Sequence, residues 1–139
     1  MTTNKLERLA VWLALAAGAL DLGTGLGLVV APKLVLGLMW AAVPGPEALL
    51  YLRWVGAFVA AVGFSYLWAL GRRDVTLLRH TLELTIWFRL AAGAFSLWAV
   101  ATGRLSPAWT SVPVTDFALA AGQAWLLRRG VFRQDRACA

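Results

Sequence analysis

Four charged residues lie within long apolar stretches of this chain, where they could hold a ligand, move protons or pair with one another. They are Asp21, Arg53, Arg89 and Asp116. An ion at the bilayer centre costs about 2.5 to 3.5 kcal/mol on insertion scales, so four unpaired ions would cost roughly 10 to 14 kcal/mol. The two acids and two arginines together carry no net charge. We therefore expect these side chains to face one another, a cavity or a bound ligand, and not lipid.

The composition is that of a membrane protein. Hydrophobic residues make up 60% of the 139 residues and charged residues only 14%, and the mean hydropathy is +0.71. The apolar stretches cover approximately residues 9–30, 49–70, 82–100 and 112–127, and a membrane-spanning helix takes about 20 residues. The sequence thus predicts an all-α integral membrane four-helix bundle, formed as one domain over residues 1–139, with a short interfacial helix at about 32–42.

The basic residues outside the apolar stretches predict the orientation in the membrane. Nine lie in three segments that a four-span topology puts on one side: Lys5, Arg8, Arg72, Arg73, Arg79, Arg128, Arg129, Arg133 and Arg136. Only Lys33 and Arg104 lie on the other side. The positive-inside rule then makes both termini cytoplasmic, and the bacterial inner membrane is the expected location. Because the basic residues are divided among short segments, we expect no nucleic-acid partner.

Helical spacing puts each intramembrane charge on a face of small residues, which is where helices pack in a membrane. Bulky residues such as Phe58 and Phe117 fall elsewhere and are expected to face lipid. At about 1.5 Å per residue, Arg53 and Asp116 lie roughly 6 Å below the outer ends of their spans. Asp21 and Arg89 lie roughly 13 to 16 Å below theirs. Depth therefore predicts that Arg53 pairs with Asp116 and Asp21 with Arg89. A pairing of Asp21 with Arg53 stays open.

Two interpretations of these charges remain. In the first, the ion pairs are structural and set the register of the bundle. In the second, at least one pair opens onto a cavity that binds a ligand or moves protons. The candidate ligand-binding residues are then Asp21, Arg53, Trp87, Arg89 and Asp116. We expect a cleft between the first three spans, lined by Gly25, Gly56, Trp87 and Arg89.

The residues that are absent exclude several kinds of chemistry. His80 is the only histidine and Cys138 the only cysteine, so one chain cannot supply a bis-histidine haem site, a zinc site or an iron–sulfur site. No GxSxG, P-loop or GxGxxG motif occurs. We therefore expect no metal, no covalently bound cofactor, no catalytic residues and no catalytic activity of the chain's own.

Two stretches resemble a known family. Leu20 to Leu38 (LDLGTGLGLVVAPKLVLGL), followed after a proline-rich turn by Arg53 to Tyr66 (RWVGAFVAAVGFSY), is similar to the DoxX-like group of small four-helix membrane proteins. The resemblance runs from about Leu9 to Leu127. It implies a small integral membrane subunit, in the best-known case a part of a quinone-reducing thiosulfate oxidoreductase. A quinone-linked role is implied by this resemblance alone.

Three classes of function follow, in order of preference. The first is a non-catalytic subunit of a larger membrane complex, such as a redox or quinone-linked one. The second is a binder of an apolar small molecule, such as a quinone or lipid, with an arginine as the polar contact. The third is a proton-coupled exporter of small molecules, because such exporters also have four helices and an acid in the first. The expected partners are membrane lipids and either other membrane subunits or further copies of this chain.

Overall fold

The fold is all-α in a computed structural model that describes residues 3–132, and this part of the chain contains no strand. Arg133, Arg136 and Cys138 lie outside the described residues. Where the sequence predicts a bundle of four helices and a short interfacial helix, the described residues form five α-helices. They are α1 (Thr3–Val30), α2 (Pro32–Leu38), α3 (Pro46–Arg72), α4 (Val75–Ala101) and α5 (Ser111–Arg128), with a 3₁₀ turn at Pro107–Thr110 before α5.

Three of the helices are long and apolar enough to cross a membrane. These are α1 from Lys5 onwards, α3 and α4, with 26, 27 and 27 residues. The remaining long helix, α5, has only 18 residues and carries Asp116 and Gln123 within them. The described part of the chain is therefore consistent with an integral membrane protein.

Local sequence explains where the helices begin. Pro32 and Pro46 each occupy the first turn of a helix, where their missing N–H is not needed. Asp74 caps α4, and its carboxylate accepts hydrogen bonds from the backbone N–H groups of Thr76 (3.0 Å) and Leu77 (2.9 Å). Helix α4 therefore begins at Val75, before the start of the predicted third span at about residue 82.

The long helices associate as two close pairs. Helix α1 packs most extensively against α3, and α4 packs against α5, whereas α3 and α4 share a much smaller contact. Glycines make the first pair close: a Cβ built on Gly25 would lie 2.6 Å from the carbonyl oxygen of Gly56, and one built on Gly56 would lie 2.6 Å from the Cβ of Leu28. In the second pair, Gly93 faces the ring of Phe117, so Phe117 packs in the bundle and does not simply face lipid as expected.

An apolar cluster joins the two pairs at one end of the bundle, the end that holds the turn between α3 and α4. Its fully buried members include Ala14 of α1, Tyr66 of α3, Leu82 of α4 and Leu126 of α5. Because these helices run alternately up and down, the start of α1 and the end of α5 lie at this same end. The other half of the bundle lacks such a cluster among the described residues. Asp21, Arg89 and Asp116 lie at the boundary between the two halves.

Arginines near helix ends stack on tryptophans. The guanidinium of Arg104 lies 4.9 Å from the ring centre of Trp98, and that of Arg129 lies 5.4 Å from the ring centre of Trp125. Tryptophan prefers the depth of the lipid headgroups, where its ring is apolar and its surroundings are wet. The stacked arginines and tryptophans at positions 98, 104, 125 and 129 are suited to that depth.

Candidate functional site: a charged triad at the base of a membrane pocket

Arg89 links two carboxylates from two other helices. Its Nη2 donates to Oδ2 of Asp21 at 2.5 Å, and its Nη1 donates to Oδ1 of Asp116 at 3.0 Å. The arginine side chain is only 4% exposed, and those of Asp21 and Asp116 are 14% and 15% exposed. The predicted pairing of Asp21 with Arg89 is confirmed. We call these three residues the charged triad.

Arg53 has a different partner from the one predicted. Its Nη1 donates to the backbone carbonyl oxygen of Val29, next to the last residue of α1. Pairing of Arg53 with Asp116 is therefore wrong, and the open alternative of Arg53 with Asp21 does not form either. The carbonyls at the end of a helix lack intrahelical donors, and a cation there also meets the negative end of the helix dipole. Arg53 thus caps α1 and lies outside the triad.

The depth at which α5 begins explains why Asp116 pairs with Arg89 and not with Arg53. Counting from the helix ends, Arg89 lies about 18 Å below the end of α4, whereas Asp116 lies only about 8 Å below the start of α5. The loop that contains the 3₁₀ turn Pro107–Thr110 contacts α4 and occupies the difference. Helix α5 therefore begins lower in the bundle than its neighbours, and Asp116 reaches the level of Arg89.

A buried polar network supports the triad on the side of the apolar cluster. The hydroxyl of Tyr66 donates to Oγ1 of Thr85 at 2.6 Å and accepts a hydrogen bond from Nε2 of Gln123. The guanidinium of Arg89 lies 5.9 Å from the centre of the Tyr66 ring, within the range of a cation–π contact. Tyr66 and Gln123 are completely buried. The network fixes α3, α4 and α5 relative to one another just beneath the charges.

A pocket of about 350 Å³ opens between α3 and α4, with the charged triad at its base. Its wall residues on α3 and α4 lie at least two turns from the ends of these helices, so the pocket opens sideways and not towards a loop. Its walls are apolar and aromatic: Trp54, Val55, Phe58, Val59 and Val62 of α3, with Phe88 and Ala92 of α4. The rings of Trp54 and Phe58 meet edge to face, with their centres 5.1 Å apart.

The pocket differs from the predicted cleft in position and lining. Gly25 and Gly56 lie in the close contact between α1 and α3, which leaves no space there. Trp87 is 72% exposed and does not line the pocket. It precedes Arg89 by two residues, which turns it about 160° away around the helix. Arg89, Asp21 and Asp116 do line the pocket, and Arg53 does not.

Several residues of the site were not predicted from the sequence. Phe88 and Ala92 flank Arg89 on α4, and Phe58 was expected to face lipid. The polar contacts of Tyr66 were also missed. A signal was present for Thr85 and Gln123, because Thr85 lies one turn from Arg89 and Gln123 two turns from Asp116, on the same helix faces. No such spacing reveals which aromatic residues border a gap between two helices.

Comparison with known proteins finds no matching family model, no matching curated protein and no matching solved structure. The site must therefore be interpreted from its own geometry.

Proposed function

We propose that this chain is an integral membrane protein that binds an apolar small molecule, of the lipid or quinone kind, in the pocket between α3 and α4. One observation carries the proposal: an apolar pocket has three charged side chains at its base. Ligand sites typically combine apolar walls with a few convergent polar groups that orient the ligand. A purely structural ion network does not require open space beside it.

The position of the pocket supports entry from the lipid. Trp54, Phe58 and Phe88 are 62%, 58% and 54% exposed, and they lie midway along helices that are apolar enough to span a membrane. A molecule dissolved in the bilayer would therefore reach the pocket without crossing water. Its apolar body would contact the aromatic rings, and its polar group would lie against the triad.

A bulky side chain at position 92 should fill the pocket and exclude its ligand. Ala92 and Ala94 are both exposed on α4, but only Ala92 lines the pocket. We expect Ala92→Trp to fill the space and Ala94→Trp to leave it open. Native mass spectrometry of the purified proteins should detect a small molecule retained by the wild type and by Ala94→Trp, and at least tenfold less of it on Ala92→Trp. Equal retention by all three proteins, or none by any of them, would refute the proposal.

We further propose that α1, α3, α4 and α5 form four spans with both termini in the cytoplasm. The basic residues support this, because Arg72, Arg73 and Arg79 lie at the end of the bundle that holds the apolar cluster, together with the start of α1 and the end of α5. The bacterial inner membrane remains the expected location.

Cysteine labelling tests this orientation. In a Cys138→Ser background, Ser106→Cys lies in the loop before α5 and Gly71→Cys lies near the turn between α3 and α4, and both positions are exposed. We expect an impermeant maleimide to label Ser106→Cys in intact cells and Gly71→Cys only after the cells are permeabilised. The reverse pattern would show that the orientation is inverted.

A subunit role in a larger membrane complex remains a second proposal. Faces of small residues favour association with other helices, but most of them are occupied within the chain, by the contacts of α1 with α3 and of α4 with α5. One stripe on α1 stays exposed: Ala16, Ala19 and Gly23, with open space around Gly23. Another helix could pack there, and the native mass of the protein in gentle membrane extracts distinguishes a complex from a single chain.

A further inference from the structure

The charged triad is not electrically balanced. When all three groups are ionised, two carboxylates and one guanidinium leave a net charge of −1, because Arg53, which balances the four charges in the sequence, is bound to the carbonyl of Val29. Lys and Arg side chains other than Arg89 do not line the pocket. An unbalanced charge is costly in surroundings of low dielectric constant. The site would therefore gain most from a ligand that brings a positive charge.

The atoms that a ligand can reach point to the same conclusion. Arg89 is 4% exposed, and both of its terminal nitrogens already donate to carboxylates. Its Nε is buried and has no partner within residues 3–132, but this atom has almost no accessible surface through which a ligand could approach. Asp21 and Asp116, at 14% and 15%, are the more accessible members of the triad. Of the three charged side chains, the two aspartates thus offer a ligand the larger accessible surface, and their carboxylates accept hydrogen bonds.

The walls also suit a cation. Trp54, Phe58 and Phe88 surround the pocket with aromatic rings, whose faces attract an ammonium group. A metal ion fits less well, since no group of three or more His, Cys, Asp or Glu side chains in the described part of the chain could hold one.

From these three features we infer that the pocket takes a protonated amine carried on an apolar body, with the ammonium group donating hydrogen bonds to Asp21 and Asp116. The inference rests on the proposed binding pocket and names the class of its ligand. Arg89 then acts as a positioning residue that holds the two carboxylates together. While the pocket is empty, a proton on one carboxyl group can neutralise the excess negative charge. A bound ammonium group would replace this proton, which would be released to water.

Three probes that share one apolar body test the charge preference. They are 4-phenylbutylamine, 4-phenylbutanol and 4-phenylbutyrate, which near neutral pH are cationic, neutral and anionic. Binding to the full chain in phosphatidylcholine nanodiscs is measured by equilibrium dialysis, with empty discs and discs containing Ala92→Trp as backgrounds. We expect the amine to bind at least about tenfold more tightly than the alcohol, the usual gain from a charge-assisted hydrogen bond, and the butyrate to bind most weakly.

Asp116→Asn should remove this preference, because it leaves Asp21 paired with Arg89 and the site neutral. Amine affinity should fall about tenfold or more, while alcohol affinity changes less than about twofold. Glu47→Gln is the matched control, since Glu47 is an exposed acid outside the pocket, and it should keep the preference. If Asp116→Asn does not fold, as judged by circular dichroism and gel filtration, Asp21→Asn makes the same test from α1.

Each outcome has a separate meaning. Equal binding of the three probes, all lost in Ala92→Trp, would overturn the amine inference and leave the apolar pocket standing. Tighter binding of the butyrate would also overturn it and would make Arg89 the polar contact. Failure of every probe to bind the wild type above the Ala92→Trp background would overturn the pocket as well. Phosphatidylethanolamine added to the discs then distinguishes two sources of the amine. If this lipid competes with 4-phenylbutylamine, the ligand is the amine of a lipid headgroup. If it does not compete, the ligand is a small organic amine.

Discussion

Replacing Arg89 with Met is expected to lower the free energy of unfolding by about 3 to 5 kcal/mol, the usual cost of removing one partner from a buried ion pair. The substitution leaves Asp21 and Asp116 together without a cation, although both side chains are mostly buried. It also removes the cation that lies over the ring of Tyr66. Unfolding in mixed micelles with increasing SDS, followed by circular dichroism, measures the loss.

Arg53→Met is the matched control for this experiment. Arg53 is exposed and donates to one backbone carbonyl, so its loss should cost only about 1 kcal/mol. Combining each arginine substitution with Asp116→Asn tests which of the two arginines interacts with Asp116. The losses from Arg53→Met and Asp116→Asn should add to within about 0.5 kcal/mol, whereas Arg89→Met and Asp116→Asn should show a coupling of about 0.5 to 3 kcal/mol. Coupling at Arg53 and additivity at Arg89 would show that the charged triad is wrongly assigned.

Gly25→Ala should destabilise the protein by about 1 to 3 kcal/mol, as overpacking of a close contact usually does. The new Cβ would lie 2.7 Å from the Cα of Ala60 and 2.6 Å from the carbonyl oxygen of Gly56. These are backbone atoms, which cannot turn aside as the end of a side chain can. Helix α1 would have to move away from α3, and Asp21, one turn from Gly25, would be displaced from Arg89. The same SDS titration measures the effect.

Gly23→Ala gives a control on the same helix, only two residues away. A Cβ at Gly23 meets nothing within 4 Å, so this change should stabilise the helix by about 0.5 to 1 kcal/mol, the difference between alanine and glycine in a helix interior. Opposite signs at positions 23 and 25 are the expected result. Stabilisation of similar size at both positions would show that helix propensity in α1, and not its contact with α3, dominates.

The sequence alone supports the all-α class, the apolar helices and the inward direction of three of the four charges, those of Asp21, Arg89 and Asp116. These conclusions rest on properties of single residues and single helices: the cost of an ion in lipid, the length of an apolar stretch and the spacing of small residues around a helix. The same reasoning found the pairing of Asp21 with Arg89, because both lie near mid-depth in their helices.

The tertiary structure decided which charges meet and where space remains. Asp116 bonds to Arg89 because the 3₁₀ turn lowers the start of α5, and a loop's path is not visible in hydrophobic periodicity. Arg53 is bound to a backbone carbonyl of α1, an acceptor that every residue carries and that no pattern of side chains singles out. The pocket exists because α3 packs closely on α1 and α4 on α5, so that the gap falls between α3 and α4. Helix partners depend on the fit of whole surfaces, and the sequence of one helix by itself does not specify which surface it will meet.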